Sequence, residues 1–98
     1  MSRVERFPLR LPIRYRPVGA AEWAQGTTEN ISAEGVLVRG SVLPELHATL
    51  DFRFNLEMGG NRSEVACRGA VVRTVTSDRG DQTFAATIEV FRFMHGDK

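Results

Sequence analysis

Between Thr49 and Met58 the residues alternate strictly. Leu50, Phe52, Phe54, Leu56 and Met58 are apolar, and Thr49, Asp51, Arg53, Asn55 and Glu57 are polar. A period of two places successive side chains on opposite faces of an extended chain, so this stretch reads as a strand with one dry and one wet face. The dry face has to be covered by a second layer, and the rest of the chain offers only further strands for that layer. Leu11, Ile13 and Tyr15 alternate with Pro12, Arg14 and Arg16, and Pro12 then belongs at a strand start or on an edge. A strand from Trp23 to Thr28 follows the Pro17-Val18-Gly19 turn signal, and Val36–Arg39 is a short β-branched run. Val65–Val75 is rich in valine, with Gly69 marking a bulge or bend, and Thr83–Phe93 is the last strand. Gly59-Gly60 and Arg79-Gly80 have the composition of hairpin tips, so Arg79-Gly80-Asp81 is read as a turn and not as an adhesion motif.

No window carries a sustained helical period, and Pro44–Ala48 has room for one turn at most. Strands at this spacing without helices predict a closed, six-stranded antiparallel β-barrel with little or no helix, since closure removes exposed sheet edges. The whole chain, 1–98, reads as a single domain. Residues 1–10 are expected to form a flexible arginine-rich arm, and about 11–93 the barrel.

Cys67 is the only cysteine, which excludes an internal disulfide and a cysteine-built zinc site. No stretch approaches the ~20 apolar residues of a membrane span, and no apolar leader follows Met1. These features suit a cytoplasmic protein, in which the Asn30 and Asn61 sequons have no glycosylation role. Net charge is only +1, but Arg3, Arg6, Arg10, Arg14 and Arg16 crowd a segment whose one acid is Glu5. A basic end on a near-neutral body suggests a local anion site more than a general nucleic-acid surface, a solvated basic strand being the plainer alternative.

Enzyme chemistry finds little support. His47 and His95 lie far apart, the carboxylates are scattered over polar faces and turns, and no glycine-rich phosphate loop precedes a helix. No catalytic or metal-binding residues are assigned. One turn stands out: in Asn30-Ile31-Ser32-Ala33-Glu34-Gly35 both polar side chains can fold back onto the backbone, and Gly35 can supply a positive φ. Taken alone, this describes a structural turn.

Together with the arginine-rich segment, it resembles the PilZ family. That family's signature is an Arg-x-x-x-Arg arm, a strand, and then an [Asp/Asn]-x-Ser-x-x-Gly turn, which Asn30–Gly35 matches in full. Arg6-Phe7-Pro8-Leu9-Arg10-Leu11-Pro12-Ile13-Arg14-Tyr15 looks like the family's lead into its first strand, and Gly69-Ala70-Val71-Val72-Arg73 like a late barrel strand. Two registers of the arginine motif compete. Spacing pairs Arg6 with Arg10, or Arg10 with Arg14. The Phe-Pro-Leu landmark makes Arg6 the second arginine, with Ser2 at the first position and Arg3 one place late.

The resemblance implies a non-catalytic effector module that binds cyclic di-GMP, needs no other cofactor, and changes the surface it shows to a protein partner. It implies a ligand site of Arg3, Arg6, Arg10, Asn30, Ser32 and Gly35. Arginine suits this ligand because its planar fork donates paired hydrogen bonds to a phosphate or to guanine O6 and N7, and its flat face stacks on a purine. Asn30 offers an amide oxygen to a guanine donor. The alternative is a degenerate member that binds a protein and no nucleotide, for which Ser2 and Asn30 speak. A barrel binding single-stranded nucleic acid would need a stacking platform, and only Tyr15 and Trp23 lie near the basic segment, so no DNA or RNA partner is assigned. Monomer and homodimer both remain open, with Phe91, Phe93 and Met94 available to cover the barrel or to form a dimer contact.

Overall fold

The computed structural model describes residues 10–58 and 60–94, which form strands and turns without a helix. The strands are β1 (Pro12–Pro17), β2 (Ala24–Ile31), β3 (Gly35–Gly40), β4 (Thr49–Met58), β5 (Asn61–Thr76), β6 (Gln82–Thr87) and β7 (Val90–Met94). They pair in the order β4-β1-β2-β3-β6-β5-β7, and a further β4–β5 pairing closes β1 to β6 into an antiparallel barrel. The expected six-stranded barrel is present, with β7 added outside the ring.

The alternation in β4 does what its pattern requires. Leu50, Phe52 and Phe54 point inward and are buried, against Ile13 and Tyr15 of β1 and Val65, Cys67 and Val71 of β5 in one core. Burying a side chain of this size contributes about 1.5–3 kcal/mol, so this one face supplies a large part of the folding drive. Leu56 lies on the same face but is only partly buried. The cause is register: β1 pairs with β4 from Leu50 to Phe54, and β4 runs on past it alongside β5. The barrel is therefore open at this end, on an apolar lining. Pro12 is the first residue of β1 and faces no partner on β4, the position an amide-less residue needs.

The predicted last strand, Thr83–Phe93, is broken at Ile88-Glu89. β6 lies between β3 and β5, whereas β7 runs only along β5. At the break the Ile88 amide donates to the Glu34 carbonyl, and the Glu89 amide to the Arg68 carbonyl, both at 2.9 Å. The β5–β6 register shifts between Val71 and Arg73, close to the bend expected at Gly69. At the Arg79-Gly80-Asp81 turn the Ser77 hydroxyl accepts the Arg79 and Asp81 amides, and Gly80 has a φ of 90°.

Candidate functional site

β2 approaches the Asn30–Gly35 turn through a bulge. Thr28 pairs with Val38 and Asn30 with Leu37, leaving Glu29 as the extra residue. Thr28 is buried inside the barrel and Ile31 packs against the core. An ordinary strand would place one residue of opposite facing between two inward ones. Here Glu29 and Asn30 both occupy the interval, so the two polar side chains come to lie side by side on the outer surface.

The turn is built by Ser32. Its amide donates to the Gly35 carbonyl at 2.9 Å, and its hydroxyl oxygen accepts the amides of Glu34 and Gly35, each at 3.2 Å. Both lone pairs of the hydroxyl are thereby used, while its proton reaches only the distant Gly35 carbonyl at 3.4 Å. Ser32 is a turn-former with one loosely held donor to spare. The positive φ expected of Gly35 does not occur: the described glycines with positive φ are Gly19, Gly60 and Gly80. Gly35 is needed for space instead, because a Cβ there would sit 2.8 Å from the Ala86 carbonyl oxygen of β6.

The basic segment joins the barrel beside this turn. The Leu11 amide donates to Thr28 Oγ1 and the Thr28 amide donates to the Leu11 carbonyl, both at 2.9 Å. This pins the chain to β2 one residue before the bulge. Arg10, exposed, lies 3.7 Å from Glu29. Arg39 of β3 reaches the same carboxylate at 3.2 Å and Asp81 at 3.9 Å. Glu29 and Arg39 were not singled out in the sequence, and only the position of Glu29 directly before the motif gave any signal. Two guanidiniums share the Glu29 carboxylate, and an anion with more acceptor oxygens than Glu29 can compete for both forks. Asn30, half-buried, has no side-chain partner among the described residues, so its amide is free to offer one acceptor and two donors. The structure thus gathers Arg10, Asn30, Ser32 and Gly35 on one stretch of surface. Arg3 and Arg6 lie outside the described residues.

Of the two aromatic residues near the basic segment, Tyr15 is in the core, with its hydroxyl bonded to the Val42 backbone. Trp23 is held under cations: Arg16 lies 4.1 Å from the ring centroid, Arg14 5.0 Å and Arg53 5.6 Å. No helix among the described residues is long and apolar enough to cross a membrane.

The sequence matches the family described as PilZ domain over residues 2–98. Among solved structures, the fold is similar to the Bacillus subtilis inhibitor of motility, MotI/DgrA. The TM-score is 0.78 at 15% identity, covering 94% of this chain and 44% of that one. It is also similar to the PilZ domain of CeSA from a cellulose-synthesizing bacterium, with a TM-score of 0.56 at 21% identity, covering 88% and 83%. The chain therefore spans less than half the length of the motility inhibitor, and at these identities the likeness is one of fold. No curated protein matches significantly. With a family match across nearly the whole sequence and a closed barrel shared with proteins of that fold, this chain belongs to the PilZ domain family.

Proposed function

We propose that this domain is a cyclic di-GMP receptor whose ligand is held by Arg3, Arg6, Arg10, Asn30, Ser32 and Gly35, and that it acts in the cytoplasm by changing its surface toward a protein partner. PilZ domains are binding and effector modules of cyclic di-GMP signalling. The observation that carries the reading to this chain is the pair of Leu11–Thr28 hydrogen bonds. They root the arginine-rich segment next to an unpartnered Asn30 and a turn whose serine has a proton to donate. Each part has a task the ligand sets. Arginine forks take phosphate oxygens or the guanine O6/N7 edge. The Asn30 oxygen takes a guanine N–H. The Ser32 hydroxyl donates outward in place of its long bond to Gly35. Gly35 keeps the turn close against β6 and presents no side chain of its own.

Calorimetric titration with cyclic di-GMP tests this. Wild type gives saturable heat, and Asn30→Ala and Arg6→Ala weaken it. A wild-type protein silent at ligand concentrations on the order of several hundred micromolar, where a useful signalling affinity would already be saturated, overturns it. In that case the protein-binding reading takes its place, which the exposure of Val90, Phe91 and Phe93 on β7 favours.

A further inference from the structure

Among the described residues β7 is the one strand with a single neighbour. Its outer edge presents main-chain N–H and C=O groups that another strand can satisfy. The two faces of β7 differ sharply. Phe91 and Phe93 point to the side of the barrel interior, with ring centroids 6.0 Å apart in an edge-to-face pair, and they are 56% and 40% exposed. With Phe54, Leu56, Ile31 and Ile88 they line an apolar trough of about 290 Å³ at the open end of the barrel. Ser32 and Ala33 of the signature turn also border this trough.

The opposite face is basic only in charge: it carries Val90, Arg92 and Met94, and Arg92 is its one charged residue. Arg92 pairs in register with Ala66, and Ala66 with Arg53 on β4, so two arginines flank a small residue in one row across the sheet. The carboxylates nearby are already engaged. Asp51 holds Arg68 at 2.9 Å, and Glu64 is shared by Arg14 at 3.3 Å and Arg53 at 3.8 Å. Arg92 has no acidic partner among the described residues.

We propose that β7 is a docking edge for an extended segment of a partner protein in which apolar and acidic residues alternate. The segment adds a strand beside β7 through main-chain hydrogen bonds. Its apolar side chains continue the Phe91–Phe93 surface over the trough, and its carboxylates, one face away, meet Arg92. A second copy of this chain suits the edge poorly, because β7 carries arginine and no acid on its basic face, and antiparallel self-pairing gathers like charge there. A single nucleic-acid strand also suits it poorly, since the Trp23 ring is covered by guanidiniums and Tyr15 is buried, which leaves no stacking platform on the basic face. This inference does not depend on nucleotide binding.

Two labelled peptides of about eight residues, a generous strand length, serve as probes. One alternates valine with glutamate, the other valine with lysine. Both are titrated into the full chain without nucleotide, following anisotropy and backbone amide exchange. The valine–glutamate peptide binds and slows exchange at Val90–Met94, and the valine–lysine peptide does not. Arg92→Glu, an exposed change that leaves the core intact, weakens the first peptide roughly tenfold and favours the second. Equal binding of both peptides, binding of neither, or an unchanged preference in Arg92→Glu overturns the proposal. So does protein-concentration-dependent slowing of exchange at β7 without peptide, which makes a second copy the occupant, or displacement of the peptide by oligothymidine.

Discussion

Gly69 of β5 lies backbone against backbone with Thr87 of β6: a side-chain carbon at position 69 would stand 1.7 Å from the Thr87 carbonyl oxygen. This is the point where β5 exchanges one neighbour for another. Before it β5 runs along β7, and after it along β6, with the Ala70 amide donating to Thr87 Oγ1 at 2.9 Å. Gly69→Ala must push two strands apart inside the closed ring. It is expected to cost about 3 kcal/mol or more, the upper range for overpacking. Gly60→Ala meets no atom within 4 Å and pays only for its φ of 85°, about 1–2 kcal/mol. Urea unfolding of both variants makes the comparison, and equal losses would mean that the contact is not tight.

Tyr15 is one of the largest fully buried side chains of the core. Its hydroxyl donates to the Val42 carbonyl and accepts the Val42 amide at 3.2 Å, while its ring packs edge-on to Phe84 at 4.9 Å. Tyr15→Phe keeps the ring and strands two backbone groups. A loss of about 1–2 kcal/mol in chemical denaturation is expected, with the β-rich circular dichroism spectrum unchanged.

Stability at alkaline pH follows from two buried acids. Burial pushes the Cys67 thiol up from 9.0 to about 11. Burial also raises Tyr15 above 10.0, against the lowering effect of its hydrogen bonds to Val42 and Ser41. Both groups become charged by losing a proton, and the folded state holds that proton more tightly than the unfolded chain does. The thiol's contribution is therefore complete below about pH 9 and is lost as pH rises through about 11, and that of Tyr15 is complete below about pH 10 and lost above it. The urea midpoint should stay level up to about pH 9 and then fall. Cys67→Ala should lower the plateau and make the decline shallower. A midpoint that rises between these limits would contradict the burial of the thiol.

The barrel was legible because its information is local. In β4, five alternating pairs specify which face is dry, and a slip of one residue would expose Phe52 and Phe54. What the sequence hid depends on neighbours distant along the chain. The break at Ile88-Glu89 arises where the Glu34 carbonyl, just before the start of β3, captures the Ile88 amide, a pairing no period reveals. Gly35 reads as a turn glycine until Ala86 is brought against it. At the site, the motif marked Asn30 and Ser32, but the bulge that turns Glu29 outward beside Asn30 exists only in the register with β3. The Glu29–Arg39 pair is hidden for the same reason.

Ser32→Ala separates the turn from the ligand. It removes the acceptor of two amides, and a loss of about 1 kcal/mol in stability is expected, as for other backbone-capping hydroxyls. If Ser32 also donates to the nucleotide, the affinity for cyclic di-GMP falls in addition, by roughly tenfold for one neutral contact. Ser32→Thr keeps the hydroxyl and should recover most of the stability. Lost stability with unchanged affinity would assign Ser32 to the turn alone.

The two arginine registers make opposite demands on Arg3 and Arg10, whereas Arg6 serves in both. Arg6→Ala should remove a charge-assisted contact worth about 1.5–3 kcal/mol, or roughly ten- to a hundredfold in cyclic di-GMP affinity. Arg10→Ala approaches that loss only if the spacing register is used, and Arg3→Ala only if the landmark register is used. The structure adds a control, since Arg10 is exposed and its one described partner is Glu29 at 3.7 Å. An exposed pair of this kind contributes at most about 1 kcal/mol, so Arg10→Ala should leave the melting temperature nearly unchanged whatever it does to the ligand. Asn30→Asp then probes the guanine contact. It supplies a second acceptor oxygen for adjacent N–H groups, but places a carboxylate beside Glu29 and near a dianion. Arg10 and Arg39, which already share Glu29, are there to offset that charge. Affinity equal to or above wild type is therefore expected, measured by calorimetry at low and moderate salt. Binding abolished in Asn30→Asp, with the fold intact and Arg6→Ala behaving as expected, would place the arginines on the ligand and remove Asn30 from the guanine edge.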